Sequence, residues 1–179
     1  MPTKRMRNPD AITLLKEDHK KVKALLASLE KATERSADRR VKLLQQIESE
    51  VKVHATVEEE IFYPAFRDAV RKKEDRELYQ EALEEHHVVD LVMPEVKDAD
   101  PAGEVFAAKA KVLKELIEHH AEEEEKDMFK KARQAMEIEE LRDLGARIEA
   151  RKRELKSMGS PRLGQATGAS RRAASPSAV

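Results

Sequence analysis

The chain has 179 residues, of which 40% are Asp, Glu, Lys or Arg and 40% are hydrophobic. Its 35 basic and 36 acidic residues nearly cancel and only 3% of its residues are aromatic, so neither a basic surface nor base-stacking side chains indicate nucleic-acid binding. Cysteine is absent, which excludes disulfides, thiolate chemistry and metal clusters held by Cys.

The beginning of the chain is basic but contains no apolar run typical of a signal peptide, and no later stretch is apolar enough to span a bilayer. We therefore predict a cytoplasmic protein with no membrane partner and no nucleic-acid partner. The abundance of Ala, Glu, Lys, Leu and Arg is typical of long amphipathic helices, so the predicted fold class is all-α.

Two helices are predicted in the first half of the chain. Pro9 suits the first position of a helix, and apolar residues at spacings of three and four continue from there until the helix ends near Thr33. A second helix is predicted over about 37–73, and Pro64 inside it is expected to produce a kink. Paired apolar stripes of this kind are typical of an antiparallel helical bundle.

The second half of the chain shows the same arrangement. A third helix is predicted over about 75–96, with Pro94 weakening its last turn, and a fourth over about 102–136. A fifth, shorter helix with its own apolar stripe is predicted over 137–158.

These helices define the predicted organisation of the chain. Residues 9–136 are expected to form a four-helix domain, followed by the additional C-terminal helix. Residues 1–8 are expected to be a flexible N-terminus. Residues 159–179 are small, polar and mildly basic, so we expect a disordered tail that lacks the apolar surface needed to offset its ordering entropy.

Polar residues interrupt the apolar stripes of the four bundle helices in a repeating pattern. The apolar frame around a His in the first helix recurs in the third, and the frame around a His in the second recurs in the fourth, each time with Glu four residues later. This alignment selects His86 over His87 and His120 over His119. The matched residues, in chain order, are His19, His54, Glu58, His86, His120 and Glu124.

The location of these six residues on the apolar stripes indicates a metal centre. Packing the four stripes together places two carboxylates and four imidazoles in one core layer, where polar groups without partners are strongly unfavourable. Neutral imidazole and ionised carboxylate are ligands that iron, zinc and manganese accept, so a metal removes this cost. The alternatives are hydrogen-bonded pairs within the core, or helices rotated so that the layer is hydrated.

Several other polar residues lie near this layer. His87 and His119 point about 100° away from the stripe and are expected outside the centre. Asp90, one turn after His86, is a candidate seventh ligand, and Tyr63 is either a plain core residue or a polar group near the pocket. The remaining acidic residues are expected on a solvated face from which some orient the imidazoles: Glu59, Glu60, Glu122, Glu123 and Glu125.

Together, the motifs LKEDHKKV, HATVEEEIFYP, EEHHVV and EHHAEEEEKDMF resemble those of the hemerythrin-like family, also called the HHE cation-binding domain. The resemblance covers about residues 9–135. It implies a left-handed up-down-up-down four-helix bundle around a non-haem centre of two iron ions, bridged by an oxide or hydroxide. In such a centre the four His would be terminal ligands, and Glu58 and Glu124 would bridge the two irons.

The chain departs from the patterns of that family in three respects. Oxygen-carrying members have a second His where this chain has Asp90, and a bridging Asp at a different spacing where it has Glu124. Bacterial members commonly have Phe-Pro where Phe129 is followed here by Lys130. The ligand set therefore resembles the bacterial and iron-sensing branch more than a dedicated oxygen carrier.

Three functions follow from this pattern. Counting ligands leaves coordination positions open, so the leading hypothesis is a protein that binds, senses or buffers iron, dioxygen, nitric oxide or peroxide. The second is an enzyme at the same centre, either peroxide-consuming and catalase-like or an oxidase. The third is a metal-free helical module that meets a partner through its fifth helix or its basic tail.

Overall fold

The computed structural model describes residues 9–158, and every regular element in this part of the chain is a helix. The helices are α1 (Ala11–Glu30), α2 (Ala37–Val57), α3 (Tyr63–Ala69), α4 (Lys73–Lys97), α5 (Glu104–Glu123), α6 (Phe129–Ala135) and α7 (Ile138–Ser157), with a short 3₁₀ turn at Glu34–Ser36. Two π-helical segments, Glu58–Phe62 and Glu124–Met128, join α2 to α3 and α5 to α6. The predicted flexible residues 1–8 and disordered residues 159–179 lie outside the described residues.

The helices form an up-down-up-down bundle. α1, α2, α4 and α5 pack in a closed ring in which each helix contacts the next, and α7 packs across α1 and α2. The all-α bundle with an additional C-terminal helix, predicted from the sequence, is therefore confirmed. Among the helices of residues 9–158, none is both long and apolar enough to cross a membrane.

The ends of α1 differ from the prediction. Pro9 lies before the helix, because Asp10 is the N-cap and its carboxylate accepts a hydrogen bond from the backbone N–H of Thr13 at 3.1 Å. At the other end the helix finishes at Glu30, before the predicted Thr33. A side-chain cap, rather than the proline, therefore sets the start of the bundle.

Both long predicted helices change from α to π geometry at the Glu of the His–Glu pair. In the second helix the π segment begins at Glu58, well before Pro64, and the helix ends at Ala69 rather than near Lys73. The same change occurs at Glu124 without a nearby proline, so proline is not its common cause. A π turn inserts one residue into the helix, which keeps the buried Glu and the aromatic residues after it on the inward face.

Two hydrophobic clusters fill the bundle on either side of a polar layer. The cluster nearer α3, α6 and α7 contains the buried rings of Phe62, Phe66 and Phe129. The other, nearer the α1–α2 and α4–α5 connections, contains Leu26 and Ile47 among its buried residues. The buried His and Glu residues lie between the two clusters, so the layer has apolar neighbours above and below.

The additional helix α7 approaches the first hairpin very closely. Leu141, Leu144 and Ile148 bury its apolar face in the cluster nearer α3 and α6. Between them lies Gly145, where a Cβ atom would be only 2.4 Å from the backbone oxygen of Pro9. Glycine is therefore required here by the close approach of two backbones.

We predict that Gly145→Ala lowers the free energy of unfolding of the metal-free protein by about 1–3 kcal/mol, because the new methyl group overlaps the Pro9 carbonyl. Helix propensity alone would change stability in the opposite direction by about 1 kcal/mol. The control Ala146→Gly, at the exposed next position, measures that propensity in the same helix. Denaturant unfolding of both variants is the test, and a Gly145→Ala protein that is more stable than the wild type would disprove the close contact.

Candidate metal centre

All six predicted ligands lie in the one buried layer between the hydrophobic clusters. They come from α1, α2, α4 and α5 and from the first residue of each π segment. Their relative exposures are His19 4%, His54 7%, Glu58 0%, His86 8%, His120 6% and Glu124 2%. The structure thus brings the six side chains together, and their role as metal ligands stays a prediction.

The layer divides into two groups of ligand atoms that could each hold a metal ion. The first group is formed by His19, His54, Glu58 and Glu124, and the second by Glu58, His86 and His120. Within each group the ligand atoms lie within 4.8 Å of one another, and the two imidazole Nε2 atoms are 3.1 Å apart. Two adjacent groups that share a carboxylate are suited to a pair of metal ions.

Glu58 spans the two groups. Its Oε1 is 3.1 Å from Nε2 of His54, and its Oε2 is 3.4 Å from Nε2 of His86. The side chain is completely buried, and within residues 9–158 its Oε1 has no hydrogen-bond partner. A carboxylate with one oxygen at each imidazole pair has the geometry of a bridging ligand.

Glu124 reaches both groups from the other hairpin. Its Oε2 is 3.2 Å from Nε2 of His19 and 3.6 Å from Nε2 of His120, and it too lacks a hydrogen-bond partner in the described part of the chain. Buried carboxylate oxygens without donors are strongly unfavourable. Cations placed between these oxygens and the four Nε2 atoms would satisfy both carboxylates, so the residues present fit a metal centre.

A second carboxylate orients each imidazole at its outer nitrogen. Each of these acids stands directly before or after a buried His or Glu of its own helix and faces the imidazole of a neighbouring helix. The four acid–imidazole pairs therefore form a closed ring around the layer. The Nδ1 pairs are His19 with Glu125 at 3.0 Å, His54 with Asp18 at 3.2 Å, His86 with Glu59 at 2.8 Å and His120 with Glu85 at 2.7 Å. A carboxylate that accepts the Nδ1–H leaves the Nε2 lone pair facing inward, which is the tautomer that a metal ligand needs.

The sequence indicates only half of this ring. The predicted acidic face includes Glu59 and Glu125, whereas Asp18 and Glu85 are not assigned an orienting role. The available signal was their matched position, directly before the lone His of each repeat. Spacing along one helix does not show which imidazole of a neighbouring helix a carboxylate will face.

Burial and charge set the protonation of the metal-free layer. Burial lowers the pKa of His54 to about 4, so this imidazole is neutral near neutral pH. Burial also opposes protonation of His19 and His120, but the neighbouring carboxylates, Glu124 above all, outweigh it and raise the pKa of both rings. Burial and the nearby Glu124 carboxylate raise the pKa of Glu58. A divalent cation would therefore compete with protons for the same imidazole and carboxylate atoms.

Tyr63 extends into the layer from the side of α3. Its hydroxyl donates a hydrogen bond to Oε1 of Glu124 at 2.9 Å and lies 3.3 Å from Nε2 of His86. Burial and the carboxylates of Glu124 and Glu58 raise the pKa of Tyr63 well above its usual value, so the phenol stays protonated. Tyr63 was predicted to be either a plain core residue or a polar group near the pocket, and the structure shows the second of these.

A cavity lies on the side of the layer away from Tyr63. Its volume is about 40 Å³, and a single water needs about 10–15 Å³ on this measure, so a molecule of a few atoms fits. The four His line one side of it, and the apolar side chains that complete it include Val22, Val51, Val89 and Ile117. An apolar space beside the Nε2 atoms is suited to a small uncharged ligand.

Three further candidates lie apart from the layer. Asp90 is exposed and lines the cavity without joining either group of ligand atoms, so the structure does not favour it as a seventh ligand. His87 and His119 are both exposed, in agreement with the prediction that they lie outside the centre.

Comparison with known proteins identifies the family. Residues 10–132 match the hemerythrin HHE cation binding domain, so the chain belongs to that family and the resemblance drawn from its motifs is confirmed. A crystal structure of a hemerythrin HHE cation-binding domain-containing protein from Mycobacterium kansasii is similar, with a TM-score of 0.73 and 25% identity, covering 84% of this chain and 89% of that one. Family membership and the buried His and Glu cluster together define a metal-binding domain.

A longer relative comes from Nostoc sp. and carries the name DNA nickase. It is 26% identical over 157 residues, which cover 87% of this chain but only 42% of the relative. The chain thus spans less than half the length of this relative, and the name describes the relative. The comparisons do not support the sequence-based exclusion of nucleic acid as a partner.

We predict that Glu59→Gln weakens the binding of a divalent metal by about 10- to 100-fold, because the amide no longer holds His86 through an ionised acceptor. The matched control is Glu60→Gln. The Glu60 carboxylate faces Arg151 at 2.7 Å on the outside of the bundle and touches no imidazole. Competition with a fluorescent chelator measures both affinities, and an equal loss in the two variants would rule out a specific effect on His86.

Proposed function

We propose that this protein holds two iron ions in a non-haem, carboxylate-bridged centre, through which it binds, senses or buffers dioxygen, nitric oxide, peroxide or iron itself. His19 and His54 would hold one ion, His86 and His120 the other, and Glu58 and Glu124 both. One observation carries the proposal: two buried carboxylates each keep an oxygen that lacks a hydrogen-bond donor within residues 9–158, beside four inward-facing Nε2 atoms. The cytoplasmic location predicted from the sequence is part of the proposal.

The surroundings of the layer support a small-molecule ligand. When bound, a pair of irons supplies redox activity and open coordination positions. The chain contributes an apolar cavity beside the Nε2 atoms, in which a diatomic molecule fits. It also contributes the ring of outer carboxylates, which hold the four imidazoles in one orientation before any ligand arrives.

The alternatives are less well supported. A metal-free helical module gives no reason to keep two carboxylates at positions where Leu or Ile would pack, and where burial without partners lowers stability. Manganese or zinc suits the same ligand types, so metal analysis is needed to separate them from iron.

We predict that the wild-type protein binds two iron ions per chain after anaerobic loading, and that removing the metal with a chelator lowers its melting temperature. A ligand at a thousand times its dissociation constant stabilises the folded state by about 4 kcal/mol. His54→Ala should lose iron because it removes a buried Nε2, whereas His87→Ala should keep it because that ring is exposed. A wild-type chain with less than one iron would refute the proposal.

The second candidate is an enzyme that converts two molecules of hydrogen peroxide into two of water and one of dioxygen, which needs no further oxidant or reductant. It is favoured by Tyr63, a buried proton donor that contacts the carboxylate of Glu124 in the layer. The phenol holds its proton at the hydroxyl that contacts Oε1 of Glu124. The carboxylate of Glu124 is the acceptor through which that proton would enter the layer.

We predict that Tyr63→Phe lowers peroxide consumption by the iron-loaded protein about 100-fold without changing its iron content, because general acid–base groups contribute about that much. The control Tyr79→Phe removes the hydroxyl from the ring that packs edge-on against Tyr63 at 6.0 Å, outside the layer. Peroxide consumption is followed by its absorbance or by oxygen release. An inactive, fully loaded wild type would exclude this function and leave reversible binding.

A further inference from the structure

A third group of ligand atoms lies on the surface beside the buried layer. It consists of Glu85 on α4 and of His119 and Glu123 on α5, whose ligand atoms lie within 4.8 Å of one another. Nε2 of His119 is 3.4 Å from Oε1 of Glu123 and 3.8 Å from Oε1 of Glu85. The His119 side chain is 64% exposed, so this group is open to ions in solvent.

A narrow cavity lies between the carboxylates of this surface group and the buried layer. Its volume is about 10 Å³, enough for one water or one cation, and it is lined by Glu81, Glu85, Glu123 and Glu124 together with apolar residues. Glu124 is 98% buried and carries the Oε2 atom that has no hydrogen-bond partner in the described residues. The cavity is therefore lined by Glu85 and Glu123 of the surface group and by the buried carboxylate of Glu124 in the proposed centre.

Glu85 contacts both the surface group and the buried layer. Its Oε1 faces the exposed His119, while its Oε2 accepts the Nδ1–H of the buried His120 at 2.7 Å. Within residues 9–158, no Lys or Arg pairs with Glu81, Glu85 or Glu123. The negative charge along this cavity is therefore not neutralised by basic side chains, and it attracts cations.

The larger cavity beside the imidazoles has a different character. Lys23 and Lys52 line it together with Asp90, and the rest of its wall is largely apolar. Lys52 is paired with Glu48 at 2.9 Å and Asp90 offsets the charge of Lys23, so this wall has little net charge to attract a divalent cation, while an uncharged diatomic molecule is little affected. The two cavities thus differ in the charge of the species that each admits.

The internal repeat shows that the acidic cavity is peculiar to the second hairpin. In the first hairpin the equivalent positions hold apolar residues and a single carboxylate, which accepts a hydrogen bond from Lys152 on α7. The equivalent residues are Leu14 for Glu81, Asp18 for Glu85, Val53 for His119 and Val57 for Glu123. Acidic residues therefore lie between solvent and the layer on the α4–α5 side. On the α1–α2 side, α7 packs against the hairpin instead.

We propose that Glu85, His119 and Glu123 form an outer binding site for a divalent transition-metal ion, which passes from there along the acidic cavity to Glu124 and the buried centre. The inference rests on the proposed function, since it needs an inner centre that receives metal. The transfer exchanges carboxylate and imidazole ligands and involves no change in oxidation state. The outer site thus acts in loading the centre rather than in its final ligation.

The rate of iron uptake by the metal-free full chain tests this route. Ferrous iron is added anaerobically at low ionic strength, and the iron that resists a rapid chelator quench is measured over time. We expect the double variant His119→Gln, Glu123→Gln to load about tenfold more slowly, because it loses the local attraction for the cation. Its final iron content and absorption spectrum should match those of the wild type, and added salt should slow the wild type more than the variant.

The matched control is the double variant His87→Gln, Glu122→Gln, which removes one exposed His from α4 and one exposed Glu from α5, both outside the cluster. It should load at the wild-type rate. If the His119, Glu123 variant also loads at that rate, or if both double variants are slowed equally, the outer site is overturned while the buried centre stands. A wild-type chain that takes up no iron would instead overturn the proposed function and this route with it.

Discussion

The negative charge buried between the four bundle helices is the constraint on which the rest of the structure depends. Glu58 and Glu124 are almost fully buried, and each keeps one oxygen without a hydrogen-bond donor from residues 9–158. The hydrophobic clusters on either side offer these oxygens no polar partner. A bundle optimised only for stability would place aliphatic residues here, so the chain keeps a layer that is unfavourable without metal in order to bind one.

The backbone and the additional helix both adapt to this layer. The two π segments begin at the two buried Glu residues, and a π turn commonly marks a functional position in a helix. α7 lies beyond the part of the chain that matches the family, yet it reaches the layer through two contacts: Lys152 binds Asp18, and Asp18 orients His54. The repeated ligands are therefore symmetric, but their surroundings are not, since α7 closes one hairpin and leaves an acidic cavity beside the other.

Much of the fold and of the candidate site could be predicted from the sequence, because the face on which a residue lies depends mainly on its own helix. The apolar stripes predicted the bundle, and the repeat predicted which six polar residues would be buried together. The features that depend on contacts between helices could not be predicted from the sequence. The orienting role of Asp18 depends on His54 of the neighbouring helix, and the hydroxyl contact of Tyr63 depends on Glu124 of the other hairpin. The π segment at Glu58 has no signal in the local sequence.

Diffraction from crystals of the iron-loaded protein, measured at the iron absorption edge, tests the central claim most directly. We predict two anomalous peaks inside the bundle, one beside His19 and His54 and the other beside His86 and His120, with Glu58 in contact with both. A single peak, or iron found only on the surface of the helices, would contradict it. The layer would then be a hydrogen-bonded polar core without a metal role.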